Sequence, residues 1–144
     1  MTEGSAPFHL TIENDIEVVG GAQQTFEEFL LSREVDPCAV YTVALAFEEI
    51  VTNVVKYSYD DLRRHQITID ADVGPAEILL RIADDGHEFN PLTAPPPDRT
   101  TPLEEREAGG LGIHIVRNLA RRIEYRRLDG RNELTLFFPV TAET

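Results

Sequence analysis

The chain has 144 residues and a formal net charge of −13, a length that predicts one domain and a charge that argues against nucleic acid and anionic membranes as partners. Its single cysteine, Cys38, argues against a disulfide framework and a cysteine-rich zinc site. Since we find neither a signal-peptide pattern nor an apolar run of about 18 residues, we expect a soluble cytoplasmic protein.

The first predicted elements are a strand and a helix. Phe8, Leu10 and Ile12 alternate with polar residues, a pattern typical of a strand with one buried face. Apolar residues then recur near helical spacing between positions 16 and 31, which predicts a helix over that segment.

The next segment, PCAVYTVALAFEEIVTNVVKYSY, predicts the central helix of the domain. Asp36 is a good N-cap and Pro37 fits the first helical position, so we expect the helix to begin there. Its end is expected between residues 58 and 61. Five apolar residues form one stripe that should face the core: Val40, Val43, Phe47, Ile50 and Val54.

The rest of the chain predicts two hairpins separated by a loop and a short helix. Residues 67–73 and the run AEILLRIADDG predict the first hairpin. The proline-rich segment 91–108 has no apolar period, which indicates a long loop. A glycine-rich turn and a short helix are expected next, and the last two strands are predicted at 123–128 and 133–140.

This order of elements predicts an α/β fold of the α+β type. Since most neighbouring strands can be joined as hairpins, we expect a two-layer sandwich with a mixed, mostly antiparallel sheet. About three helices should cover one face of that sheet. The sequence shows no internal repeat and no linker, so residues 1–144 are expected to form a single domain.

Three short patterns carry polar groups that are suited to chemistry, and the first lies on the central helix. Glu49, Asn53 and Lys56 are spaced so that they share one edge beside the apolar stripe. An amide oxygen suits Mg²⁺, and a carboxylate can accept a proton. A solvated helix face with a Glu–Lys pair would show the same pattern.

The other two patterns contain glycine. Asp84 ends an apolar strand and Gly86 follows, so a carboxylate could accept a hydrogen bond from an exocyclic amine such as that of adenine, although an ordinary Asp-Gly turn has the same sequence. The glycines of 109–112 lead into a helix, where backbone N–H groups can bind phosphate or the chain can hinge.

The order of the three patterns is more specific than any one of them. EEIVTNVVKYS, DDGHEF and GGLGIHIVRNL resemble the N, G1 and G2 boxes of the GHKL ATPase superfamily. The small size and the GGLGIHIV sequence are most similar to the bacterial anti-sigma-factor serine/threonine kinases. This resemblance covers nearly the whole chain and implies a Bergerat-type ATP-binding fold, ATP and Mg²⁺ as cofactors, and an ATP lid at about 91–108.

The resemblance implies roles for individual residues. Asn53 would coordinate Mg²⁺, and Glu49 would be the catalytic base. Asp84 would accept a hydrogen bond from the adenine amine with Gly86 beside the base. Thr135 would contact adenine through water.

Two further segments are expected at the phosphates on the same grounds. Lys56 would touch phosphate, as in the histidine-kinase N box that NVVKYS resembles. Gly110, Leu111 and Gly112 would border the phosphates.

The implied function is phosphorylation of a STAS-type anti-sigma-factor antagonist by a homodimeric kinase, with sequestration of a sigma factor as a further role. The chain departs from these kinases at Tyr57, where they usually carry histidine. It also has His87 and Glu88 where the G1 box usually has a second glycine. An ATP-binding partner-switch module without kinase activity is the alternative that these departures suit, whereas Glu49 argues for the kinase.

Overall fold

The computed structural model describes residues 7–93, 114 and 116–141 of the chain. Residues 116–119 are helical. The seven longer elements, in chain order, are β1 (Phe8–Glu13), α1 (Ile16–Ser32), α2 (Pro37–Tyr57), β2 (Gln66–Val73), β3 (Glu77–Asp84), β4 (Arg122–Leu128) and β5 (Arg131–Pro139).

The five strands form one sheet in the order β1-β2-β3-β5-β4, and all four pairings are antiparallel. Both predicted hairpins are present. In the second, Leu128 pairs with Arg131 across a turn at Asp129 and Gly130, whose φ angles are 53° and 76°. Two positive φ values are typical of a two-residue type I′ turn, which joins antiparallel strands closely. The predicted α+β fold class is therefore confirmed.

The two long helices pack together on one face of the sheet. The α2 helix begins where the sequence predicted, because the Asp36 side chain accepts a hydrogen bond from the Cys38 N–H at 2.9 Å. The predicted apolar stripe of α2 is buried. Phe26 of α1 stacks on Phe47 of α2 with ring centroids 5.1 Å apart, so the helices share one core.

The helix-facing side of the two central strands is apolar until it reaches one end. Ile82 of β3 pairs with Leu134 of β5, and both are buried. The next inward pair along these strands is Asp84 with Asn132, and both of these side chains are 1% exposed. A buried polar pair thus lies at one end of the apolar face.

The α2 helix is, by length and composition, long and apolar enough to cross a membrane. Its 21 residues contain an 18-residue window with a mean hydropathy of 1.5, which corrects the expectation that the sequence has no such run. In the fold, 56% of that window is buried. The apolar stripe of α2 is thus already covered by the sheet and α1, as in the core helix of a globular domain.

Candidate functional site

The polar edge of α2 begins the candidate site. Asn53 is 6% exposed, and its Nδ2 donates a hydrogen bond to the carbonyl oxygen of Pro91 at 3.0 Å. Glu49 lies one turn earlier and is partly buried, whereas Lys56 is exposed. The bond from Asn53 therefore ties the central helix to the first residue of the predicted lid.

The environment of Glu49 favours its use as a proton acceptor. Partial burial is the main cause that raises the pKa of the Glu49 carboxyl above its usual value. The neighbouring charge of Glu48 raises this pKa further, while the Lys56 ammonium opposes the shift. A carboxylate with a raised pKa is a stronger base, so Glu49 is suited to general-base chemistry.

Asp84 supplies a buried carboxylate where β3 ends. Its Oδ1 accepts hydrogen bonds from the Gly86 N–H at 2.9 Å and from Asn132 Nδ2 at 3.0 Å. Burial is the main cause that raises the pKa of the Asp84 carboxyl, and hydrogen bonding, that of Asn132 first, opposes the rise. Since both bonds end on Oδ1, Oδ2 is the oxygen suited to accept a hydrogen bond from a ligand.

Gly86 is needed because two chain segments touch there. A Cβ atom at position 86 would lie 2.1 Å from the carbonyl oxygen of Ser58 and 2.8 Å from its carbonyl carbon. The next N–H, that of His87, donates to the same Ser58 oxygen at 2.8 Å. The turn after β3 is thus held directly against the end of α2.

We expect Gly86→Ala to lower the free energy of unfolding by about 1–3 kcal/mol, as overpacking does, because the methyl group would meet backbone atoms that cannot rotate away. Urea unfolding measures this. Gly20→Ala is the matched control, since a Cβ atom there meets nothing within 4 Å and α1 should gain helix propensity. Equal effects of the two substitutions would contradict the close packing at Gly86.

Asn132 is a buried site residue that the sequence analysis missed. Its Nδ2 donates to Asp84 Oδ1 at 3.0 Å and to the His87 carbonyl oxygen at 2.8 Å. Its Oδ1 accepts from the Phe89 N–H at 3.1 Å and from the Tyr125 hydroxyl at 2.6 Å. The signal that could have found it is one amide on the otherwise apolar inward face of β5.

Thr135, which the resemblance placed at adenine through water, does not lie beside Asp84. Thr135 pairs with Arg81, and its hydroxyl oxygen accepts a hydrogen bond from Arg81 Nε at 3.2 Å. Successive residues of a strand point to opposite faces, so Thr135 lies on the face away from the helices, whereas Asp84 points towards them. Asn132 occupies the inward position on β5 opposite Asp84.

Tyr57 and His87, two positions at which the chain departs from the kinase pattern, both contact Phe89. The ring centroids of Tyr57 and Phe89 are 5.9 Å apart, and those of His87 and Phe89 are 6.4 Å apart. The Tyr57 side chain therefore packs against the turn that follows β3.

The predicted phosphate segment Gly110, Leu111 and Gly112 lies outside the described residues, as does the lid beyond residue 93. Their roles remain predictions.

Beside this turn, His65 joins two acidic segments. Its Nε2 is 2.8 Å from Asp61 Oδ1, and its Nδ1 is 3.1 Å from Asp85 Oδ1. The ring of Tyr59 stacks on the imidazole with centroids 4.5 Å apart. The hydrogen bond to Asp61 is the main cause that raises the pKa of His65 above its usual 6.5.

We expect the His65 bridge to make stability depend on pH. A raised folded-state pKa means that the stabilisation is complete below pH 6.5 and is lost as the pH rises through the raised value. The difference in unfolding free energy between wild type and His65→Gln should therefore stay constant below pH 6.5 and shrink as the pH rises above it. The exposed His114→Gln variant is the control, and a difference for His65→Gln that stays constant above pH 6.5 as well would contradict the bridge.

The donor set beside α2 fits Mg²⁺ that takes most of its ligands from phosphate and water. Among the described residues, no group of three or more His, Cys, Asp or Glu side chains could hold a metal ion. A metal beside α2 would thus take the carboxamide oxygen of Asn53 and complete its shell with phosphate and water oxygens. Mg²⁺ commonly binds in this way, so the residues fit it.

A separate groove of about 280 Å³ lies between the start of α2 and the end of β5. Val43 and Phe138 line it. Phe138 pairs with Ile78 near the start of β3, whereas Asp84 ends that strand. The groove is therefore at the other end of the sheet from Asp84.

The match to a family model defines the class of protein. The model of the histidine kinase-like ATPase domain matches residues 12–138, and the chain therefore belongs to this family. The antiparallel sheet, the helix layer and the G1-type turn agree with that membership.

The proteins that the chain is similar to include a protein kinase and a solved two-domain structure. It is 29% identical over 96 residues to the serine/threonine-protein kinase BtrW of Bordetella bronchiseptica, across 67% of this chain and 68% of that protein. Its fold is similar to the crystal structure of the RsbU and RsbW domains of Rv1364c from Mycobacterium tuberculosis, with a TM-score of 0.66 and 17% identity. That comparison covers 92% of this chain and 32% of the other, so the chain spans about a third of that structure.

Proposed function

We propose that the chain is an ATP-dependent protein serine/threonine kinase of the anti-sigma-factor type. The observation that carries this proposal is the partly buried Glu49 with a raised pKa, one helical turn before the buried Asn53. Family membership supports an ATPase function for the chain. The similarity to a serine/threonine-protein kinase supports transfer to a hydroxyl group.

In this proposal the adenine and the phosphates of ATP are bound by different elements of the fold. Asp84 Oδ2 accepts a hydrogen bond from the adenine amine, and Gly86 keeps the turn beside it close to α2. Asn53 binds the metal, and Lys56 lies on the same helix edge to touch phosphate. When bound, Mg²⁺ would offset charge on the triphosphate. The glycines at 110 and 112, with Leu111 between them, would supply backbone N–H groups to the phosphates.

Glu49 accounts for the choice of acceptor. A serine or threonine hydroxyl is a poor nucleophile until its proton is removed. Glu49 would accept that proton as the hydroxyl oxygen attacks the terminal phosphorus, and the bond from that phosphorus to the bridging oxygen would break so that ADP leaves. A neutral hydroxyl acceptor therefore fits a site that contains a carboxylate base.

The partners belong to the same proposal. The phosphorylated protein would be a STAS-type anti-sigma-factor antagonist, and the kinase would be a cytoplasmic homodimer that also sequesters a sigma factor. The resemblance of the three sequence boxes to anti-sigma-factor kinases supports these assignments.

A second candidate is an ATP-binding partner-switch module that transfers no phosphate. The contact between Tyr57 and Phe89 favours it. These kinases usually carry a histidine at the position of Tyr57, whereas here an aromatic residue packs on the turn after β3. Glu49 favours the kinase, since a module that only binds nucleotide has no use for a base.

Transfer of label from γ-³²P-ATP to candidate antagonist proteins in the presence of Mg²⁺ tests the proposal. We expect acid-stable label on serine or threonine, identified by phosphoamino acid analysis. Nucleotide binding without transfer to any candidate would instead support the partner-switch module. Failure to bind adenine nucleotide would contradict both candidates.

A further inference from the structure

The β4–β5 hairpin fixes the turn that follows β3. Besides the four hydrogen bonds of Asn132, the guanidinium of Arg127 donates to the Gly86 carbonyl oxygen at 2.7 Å. Arg127 and Asn132 are direct partners across the two strands. This one cross-strand pair therefore holds the turn after β3 through bonds to several of its backbone atoms.

The carboxamide of Asn132 can take only one orientation in this network. Its two donated bonds end on the Asp84 carboxylate and the His87 carbonyl oxygen, and its oxygen faces the Phe89 N–H. A rotation by 180° would place oxygen against those two acceptors and NH₂ against a backbone donor. Burial makes such mismatches costly, so the side chain is locked.

The locked amide also determines which oxygen of Asp84 is available. Asn132 Nδ2 and the Gly86 N–H both donate to Oδ1, so they hold that oxygen in place and leave Oδ2 without either bond. An acceptor fixed in advance loses little entropy when a ligand donor reaches it. Such an arrangement favours a ligand with an exocyclic N–H group.

We propose that Asn132 is a positioning residue that sets the preference for an amine-bearing nucleobase by orienting Asp84. This inference rests on the proposed nucleotide site, and it deepens that proposal by naming a determinant of base selectivity. Asn132 acts through Asp84 and needs no contact with the base. Tyr125 supports it, because its hydroxyl bonds to Asn132 Oδ1 at 2.6 Å.

The test compares the affinities of ATP and purine riboside 5′-triphosphate, which lacks the exocyclic amine, by titration calorimetry with Mg²⁺. Wild type should prefer ATP. Asn132→Ala should weaken ATP binding about tenfold, the effect of about 1.4 kcal/mol, while changing the affinity for the amine-free nucleotide less than about twofold. The preference for ATP should then be largely lost.

Two further variants keep the test decisive if Asn132→Ala folds poorly. Tyr125→Phe removes one hydroxyl and leaves Asn132 in place, so it should reduce the preference for ATP by a smaller factor of about two to three. Thr135→Val, on the opposite face of the sheet, should leave both affinities unchanged.

Two results would overturn the inference. Equal losses for both nucleotides in the Asn132 and Tyr125 variants would mean that these residues only stabilise the fold. An ATP preference that persists in both variants would mean that Asp84 needs no positioning. Failure of wild type to bind either nucleotide would instead remove the proposed function, and the inference with it.

Discussion

Glu49→Gln is expected to lower the rate of phosphoryl transfer by about 10²- to 10⁴-fold, the usual contribution of a general base, while the affinity for Mg²⁺-ATP stays close to that of wild type. Glutamine keeps the size of the side chain but cannot accept the proton of the hydroxyl group. Single-turnover transfer from labelled ATP gives the rate, and titration calorimetry gives the affinity.

Glu48→Gln is the matched control for this prediction. Glu48 is the exposed neighbour whose charge raises the pKa of Glu49. Removing that charge should lower the pKa, so transfer should persist and the acid limb of its pH profile should move to lower pH. A Glu49→Gln variant that transfers phosphate as fast as Glu48→Gln would show that Glu49 is not the base.

Asp84→Asn is expected to weaken ATP binding by about 10- to 150-fold, the range for loss of a hydrogen bond to a charged group at 1.5–3 kcal/mol. ATP binding should weaken because of the two hydrogen-bond donors around Oδ1. Gly86 N–H and Asn132 Nδ2 would hold the amide oxygen of the substituted side chain at that position. Its NH₂ group would then replace Oδ2 and face the adenine amine, donor against donor.

Asp85→Asn provides the comparison for Asp84→Asn. Asp85 is the next residue, but its carboxylate is engaged with His65 at 3.1 Å. ATP affinity should therefore change little in this variant, while Asp84→Asn loses most of it. Similar ATP affinities of the two variants would exclude Asp84 as the carboxylate that binds the adenine.

Much of the fold could be predicted because local signals agreed with the tertiary structure. Asp36 and Pro37 mark the start of α2, and its apolar stripe has the helical period of the buried face. Strict alternation located β1 and β2. The turn at Asp129 and Gly130 has the residues that a two-residue hairpin prefers.

The expected position of Thr135 at the adenine did not take into account that successive residues of a strand point to opposite faces of the sheet. Leu134, Leu136 and Phe138 are all buried on the helix side, and that alternation already places Thr135 outward and Asn132 inward. The position to which the resemblance assigned an adenine contact therefore lies on the other face of the sheet from Asp84. The hydrogen bonds of Asn132 also join residues far apart in sequence, which no local pattern indicates.

The contact between Gly86 and Ser58 could not be predicted either. The sequence showed only that a glycine follows Asp84, a pattern that ordinary turns share. In the fold, the end of α2 and the turn after β3 meet backbone to backbone, with the His87 N–H bonded to the Ser58 carbonyl oxygen. This contact connects the helix that carries Glu49 and Asn53 to the turn that carries Asp84.

The central claim is that the edge of α2 and the turn after β3 bind the two ends of one Mg²⁺-ATP molecule. A crystal structure with Mg²⁺ and a non-hydrolysable ATP analogue tests it most directly. We expect the adenine amine about 2.7–3.2 Å from Asp84 Oδ2 and the Asn53 carboxamide oxygen about 2.0–2.1 Å from the metal. A nucleotide bound elsewhere, for instance in the groove beside Phe138, would contradict the claim.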